Sequence, residues 1–223
     1  MARSRAAGGN PDGNTVRTQR TRARVLAESL RLFNEKGEAH VTTGMVAEAL
    51  NMSPGNLYYH FRNKDQIIAE LFALFEERIG VEAGTPADAA SAVEDLWLYL
   101  HLMLECIWEY RFLYRNLDDL LARNRHLRQR FNHIVDRKQE TFAQLCHWLV
   151  RTGAMRATPT EIGALAANVL VVATFWLTFH SLRGEREAED LAQGASQVMA
   201  LVAPFLVGDA RAQLDHIGRN YLE

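Results

Sequence analysis

No stretch of this chain alternates apolar and polar residues as a half-buried strand requires, and that constrains its fold more than any other feature. Long runs rich in Ala, Leu, Glu and Arg take the place of such alternation, and these residues lose least on entering a helix. Only 5 prolines interrupt them in 223 residues. The chain therefore reads as all-α, with enough length to bury a sizeable core. Its 48% hydrophobic and 23% charged residues give the balance of a globular protein.

Charge is unevenly placed. Residues 1–24 hold Arg3, Arg5, Arg17, Arg20, Arg22 and Arg24 against Asp12, a sum of +5, so a net charge of −2 leaves −7 for the remainder. A basic arm on an acidic body points to a polyanionic partner at one end, nucleic acid or membrane, or else to a solvated tail. Residues 1–15 are rich in Gly, Pro, Asn and Ser and are expected to be a disordered basic arm. They contain no apolar segment of the kind a signal peptide needs. Cys106 and Cys146 lie far apart in apolar helical contexts. With no other cysteine, a reducing cytoplasm is the expected location.

Helix punctuation is dense in the first third. A helix is expected over about 18–36, with Leu26, Leu30 and Phe33 on one face and Gly37 as its stop. Thr42 or Thr43 can cap a short helix with Val46, Ala47 and Leu50 on one side. Asn51 and Met52 form a tight turn, Ser53 caps again, and Pro54 takes the first helical position, where its missing N–H costs nothing. The next helix, to about Phe61, is barely two turns long. Asn63 caps a fourth helix carrying Ile67, Ile68, Leu71, Phe72, Phe75 and Ile79. Gly84-Thr85-Pro86 breaks the chain, and longer helices are expected over about 86–110, 112–122, 125–152, 159–183 and 187–206, with a weak one after Gly208. The domains follow: a helix-turn-helix over 16–63, a connecting helix over 64–82 and a helical body over 83–223.

The two-turn helix places three rings, Tyr58, Tyr59 and His60, side by side. At 100° per residue, Pro54, Leu57, Tyr58 and Phe61 share the core-facing side. Gly55, Asn56, Tyr59 and His60 share the other. A short capped helix, a tight turn and a second short helix make a helix-turn-helix, whose second helix offers its N-terminal half to the major groove. Gly55 allows close approach to DNA, Asn56 can bond a base edge or a phosphate, and Tyr59 and His60 offer flat surfaces with polar tips. Lys64 opens the next helix, where a phosphate can be clamped. The Arg17 to Arg24 cluster is within reach of an adjacent backbone or minor groove.

The segment VTTGMVAEALNMSPGNLYYHFRNKDQIIAELF resembles the DNA-binding region of the tetracycline-repressor-like (TetR/AcrR) family of bacterial regulators. LYYHF followed by a lysine three residues later is highly specific to it, and the resemblance extends over about Thr18 to Phe75. It implies an N-terminal DNA-binding domain and a larger helical domain that binds a ligand and dimerises, usually in a repressor. By the family pattern Thr43 and Tyr59 contact phosphates, Gly55 and Asn56 lie nearest the bases, His60 meets the backbone, and Lys64 holds a phosphate. Gly44 departs from the pattern, since many relatives have a basic residue there. The candidate DNA-contacting set is Arg22, Thr43, Gly44, Ser53, Pro54, Gly55, Asn56, Tyr58, Tyr59, His60 and Lys64, which includes Pro54 and Tyr58 from the packed side. Two recognition helices of a homodimer would read a pseudo-palindromic double-stranded operator.

The body is rich in rings. Aromatic stripes at helical spacing are more often packing than pocket. The candidate effector-lining residues are Trp97, His101, Glu105, Trp108, Phe131, Phe142, Trp148, Phe175 and Phe179, with His133, Asn168, Thr174 and His180 as further polar groups. Such a lining would suit an apolar or flat aromatic small molecule. Ile162 to Leu182 has no Asp, Glu, Lys or Arg, a length able to span a bilayer. Asn168, Thr174, Thr178, His180 and Ser181 interrupt it, so a buried or dimeric helix is the expected role and no membrane partner is assigned. No metal-ligand spacing, cofactor motif or catalytic constellation occurs, so no metal, cofactor or enzymatic activity is expected. An enzyme or binding protein using the aromatic body is the competing reading.

Overall fold

The computed structural model describes residues 11–80, 89–183 and 190–222. Residues 1–10, the Gly84-Thr85-Pro86 break and Gly184 lie outside the described residues. The chain divides into two compact units, one ending at Phe72 and the other starting at Ala73.

In the first unit, α1 (Pro11–Lys36) begins before the expected start at Thr18, so residues 11–15 are helical rather than part of a disordered arm. Its buried line is Val25, Ser29, Leu32 and Phe33, spaced at i, i+4, i+7 and i+8, while Leu26 and Leu30 are only half-buried. Gly37 ends the helix at φ 82 and ψ 137, a backbone conformation open to glycine. A 3-10 turn (Glu38–His40) leads to α2 (Thr43–Ala49), where Thr42 is the cap and accepts from the Met45 N–H at 3.2 Å. After α2 the Asn51 N–H donates to Glu48 O and the Met52 N–H to Ala47 O, with Asn51 at φ 52. This is a Schellman closure with asparagine in the left-handed position.

Ser53 Oγ accepts from the Asn56 N–H at 3.2 Å, and Pro54 opens α3 (Pro54–His60). Leu57 and Phe61 fill the space between α3 and its neighbours, both fully buried. Asn63 Oδ1 accepts from the Gln66 N–H and caps α4 (Lys64–Ile79). All six apolar residues expected on its stripe, from Ile67 to Ile79, are buried.

The second unit continues with α5 (Ala89–Glu109), α6 (Arg111–Arg115), α7 (Leu117–Arg123), α8 (Arg125–Arg151), α9 (Pro159–Leu182), α10 (Asp190–Val202) and α11 (Asp209–Leu222). The single helix expected over 112–122 is broken at Asn116, at φ −133 and ψ 38. A 3-10 turn (Ala203–Phe205) follows α10. The loop after α8 and the segment before α11 are stitched by Arg156 N–H to Phe205 O and Val207 N–H to Ala154 O, an isolated bridge between Met155 and Leu206.

Helix α9 is the centre of this unit. A capping box of Thr158 and Glu161 starts it. One face packs on α8 and α10, burying Ile162, Leu165, Val169, Ala173 and Leu177. Gly194 of α10 lets that helix close on the Trp176 ring, since a Cβ there would lie 2.8 Å from it. The opposite face leaves Val171, Phe175, Phe179 and Leu182 exposed. By length and composition α9 could cross a membrane, but its packing on α8 and α10 is that of a core helix.

Candidate nucleic-acid interface

Only one row of α3 reaches the core. With seven residues the helix has room for a single i, i+4 pair, and Leu57 with Phe61 at the C-cap takes it. Pro54 and Tyr58, expected on the packed side, are instead exposed, Tyr58 at 51%. The Tyr58 hydroxyl lies 3.3 Å from Thr43 Oγ1, so the ring spans from α3 to the first residue of α2 across the open side of the motif. Tyr59 is 76% exposed and meets the half-buried His60 edge-on, with ring centroids 5.1 Å apart. Gly44, Gly55 and Asn56 are exposed. Thr43, Gly44, Gly55, Asn56, Tyr58 and Tyr59 thus present one polar, ring-bearing surface made by two helix starts.

Gly55 is informative because the fold does not need it. A Cβ at this position would meet nothing within 4 Å, and its φ is not in the left-handed region. A residue without a side chain, in a helix that would be stabler with alanine, suits a surface that something else approaches closely. A Cβ at Gly44 would lie 3.6 Å from Thr42 Oγ1, ordinary contact. Ser53 spends its hydroxyl on the cap of α3, so its part is to set where that helix begins.

Beside α3 runs an open groove of about 590 Å³ lined by Arg17, Arg20, Thr21 and Arg24 of α1 and by Asn51, Met52, Ser53 and Asn56. The arginines recur at i, i+3 and i+7, so one face of α1 is basic where it borders the turn and the start of α3. Three guanidinium groups next to Asn56 favour a polyanion running along the groove.

Two of the candidate DNA-contacting cations, Lys64 and Arg22, have partners within the protein. Lys64 Nζ lies 2.8 Å from Glu38 Oε1 and donates to Glu38 O at 3.0 Å, and the Glu38 side chain has no exposed surface. A buried carboxylate requires a partner, and Lys64 supplies it, anchoring the 3-10 turn to the start of α4. The Arg22 guanidinium donates to His60 O, pairs with Glu70 and lies over the Phe61 ring, 4.3 Å from its centroid. Neither cation could be assigned from the sequence, because the carboxylates that hold them are 26 and 48 positions away.

The rings expected around an effector are not gathered together. Trp97 stacks on His101 at 4.8 Å, and His101 Nε2 lies 3.2 Å from Glu105, a small group on one side of α5. Trp108 carries Arg111 over its ring at 4.7 Å. Phe131 and Phe142 are core, with Phe131 edge-on to Tyr114, and Trp148 is half-buried. Phe175 and Phe179 are exposed, at 48% and 51%. A cavity of about 90 Å³ among the described residues has a different lining: Glu76 and Gly80 from the end of α4, and His133, Ile134, Arg137, Lys138 and Thr141 from α8. Of the expected polar groups it contains His133 alone. Lys138 is buried, with Nζ 5.1 Å from the Tyr99 ring centroid, and Glu76 pairs with Arg130.

Cys106 and Cys146 are free and buried, and burial pushes both thiols up to about 12. No group of three His, Cys, Asp or Glu placed to hold a metal ion occurs among the described residues.

Comparison with known proteins bears on the same regions. Residues 25–71 match the family model described as bacterial regulatory proteins, tetR family, and residues 74–214 match the model described as bacterial transcriptional repressor. The HTH-type transcriptional regulator AcrR of Shigella flexneri is 30% identical over 98 residues, 42% of this chain and 45% of that protein. TtgR of Pseudomonas putida is 32% identical over 59 residues, 26% of this chain and 28% of the relative. The matched stretches thus span less than half the length of these curated relatives. Among solved structures, a TetR-family transcriptional regulator from Marinobacter aquaeolei VT8 superposes with a TM-score of 0.79 at 33% identity, covering 90% of this chain and 98% of that one.

Proposed function

This chain belongs to the tetR family of bacterial regulatory proteins, and from that membership we propose that it is a homodimeric, cytoplasmic repressor that binds operator DNA and is released by a small effector. The observation that carries the DNA-binding part is the open face of α3: Gly55 with free space around it, beside exposed Asn56 and Tyr59 and the arginine-lined groove of α1. In this reading Gly55 and Asn56 lie against base edges. Thr43, Tyr59 and His60 hold the flanking backbone, and Arg17, Arg20 and Arg24 neutralise phosphates.

The dimer is proposed from α9. Val171, Phe175, Phe179 and Leu182 follow at i, i+4, i+8 and i+11, and α10 lies alongside. A stripe of exposed apolar side chains on a core helix suits an isologous partner. Two α3 helices related by a two-fold axis would then read a pseudo-palindromic site. Effector binding is placed in the second unit, where it would favour a dimer less suited to DNA. The cavity between the end of α4 and α8, where Glu76 faces His133, Arg137 and Lys138, is the candidate place for it among the described residues.

Titrating the purified protein onto DNA from upstream of its own coding sequence, at several salt concentrations, tests this function. Binding stronger than to random DNA, weakening steeply with salt, is expected. Equal binding to both, or affinity insensitive to salt, would refute it.

A further inference from the structure

Arg22 lies within the basic segment, yet its guanidinium points into the fold. We infer that Arg22 and Glu70 are positioning residues: together they fix the pose in which α3 meets DNA, and neither touches the DNA. The inference rests on the reading of α3 as the recognition helix.

Helix α3 makes few hydrogen bonds of its own, because seven residues give less than two turns and the last carbonyls have no partner within the helix. What holds its ends therefore sets its orientation. Ser53 holds the start. At the other end, Arg22 Nη1 donates to the carbonyl of His60, the last residue of α3, while Nη2 pairs with Glu70 Oε1 on α4. Between them the guanidinium covers the ring of Phe61. A planar fork with donors in fixed directions relates three elements, α1, α3 and α4, in a way that a flexible ammonium would not.

The same carboxylate extends the tie. Gln66 Nε2 donates to Glu70 Oε1 at 3.4 Å, and Gln66 Oε1 accepts from the Arg62 N–H at 2.9 Å. Both main-chain groups flanking Phe61, the His60 carbonyl and the Arg62 amide, are thus bound to one network centred on Glu70. Removing either member frees the end of α3 without taking a charge away from a phosphate.

This separates Arg22 from its neighbours. Arg17, Arg20 and Arg24 line the open groove, so losing one should release fewer counterions on DNA binding. Losing Arg22 should not. Glu70 gives the sharper contrast: removing a carboxylate near DNA normally strengthens binding to a polyanion, whereas a positioning role makes the loss harmful.

The test uses the full chain and a duplex enriched by it from random DNA, with binding measured by fluorescence anisotropy across a salt series. Arg22→Gln and Glu70→Gln should each weaken binding about tenfold at fixed salt, the scale of one lost charge-assisted hydrogen bond. The slope of log K against log salt should stay at the wild-type value. Arg20→Gln should lower that slope by about 0.9 per lost phosphate contact, about 1.8 for a dimer. The exchange Arg22→Glu with Glu70→Arg should recover part of the loss. Far-ultraviolet circular dichroism checks the fold, and if Arg22→Gln loses helix, Glu70→Gln and the exchange decide. A slope that falls in Arg22→Gln as it does in Arg20→Gln would overturn the inference, as would Glu70→Gln binding at least as tightly as wild type. Failure of the wild-type protein to enrich any duplex would instead sink the recognition-helix reading itself.

Discussion

Replacing Gly55 with alanine should move stability and DNA binding in opposite directions. The position is the second of α3, its φ is not left-handed, and an added Cβ meets nothing within 4 Å. Alanine there removes freedom from the unfolded chain and improves helix propensity, a gain of about 0.5–1 kcal/mol in a helix interior and near the lower figure in a first turn. In the proposed docking the same methyl would occupy the space left for a base edge or a phosphate. Forcing α3 outward sacrifices at least one good contact, about 1–3 kcal/mol, or roughly fivefold and upward in Kd. Urea denaturation measures the first effect and anisotropy with the enriched duplex the second. A stability loss of about 1 kcal/mol or more would mean that the fold itself needs the glycine. An unchanged Kd would mean that no DNA surface comes within a methyl group of position 55, and the docking face would be wrong.

Four other outcomes follow from the same geometry. Tyr59→Ala should leave stability and assembly unchanged, because the ring is 76% exposed, while weakening operator binding severalfold in the same anisotropy assay. Lys64→Ala should lower stability by about 1–3 kcal/mol in urea denaturation, because the buried Glu38 carboxylate loses its ion pair with a partly exposed lysine. Its salt slope for DNA should not change; a fall would mean that Lys64 also meets a phosphate. Phe175→Arg should convert the dimer to a monomer in sedimentation velocity with little change in helix content, and a persistent dimer would move the interface away from α9. Burial raises the Cys106 and Cys146 thiols from 9.0 to about 12, so the unfolded chain ionises first as pH rises. Their contribution to stability is therefore complete below about pH 9 and lost between about 9 and 12, checked by urea midpoints of wild type against Cys106→Ala and Cys146→Ala.

Local signals in the sequence carried the first unit a long way. The caps at Thr42, Ser53 and Asn63, the glycine stop at position 37 and the six-residue stripe of α4 are each written within a few positions, and each is found where expected. A helical wheel puts Tyr58 and Pro54 on the packed side because it assumes a wide buried face, whereas a helix of seven residues covers only one row and leaves both exposed. The pairing of Arg22 with Glu70 and of Lys64 with Glu38 is not legible in the sequence, because these partners are distant along the chain and near only once it folds. The start of α1 at Pro11 runs through Gly13 and Asn14, whose composition argued for a loop. In the body, periodicity found the helices but not the side that each ring faces. Phe142 is core and Phe175 is surface, although both lie on apolar helical stripes.

Selection of bound sequences from random DNA by the full-length protein tests the central claim most directly. Two α3 helices of a homodimer should enrich a site with two-fold related halves about one helical turn apart. Enrichment of no sequence, or of a site without two-fold symmetry, would contradict it.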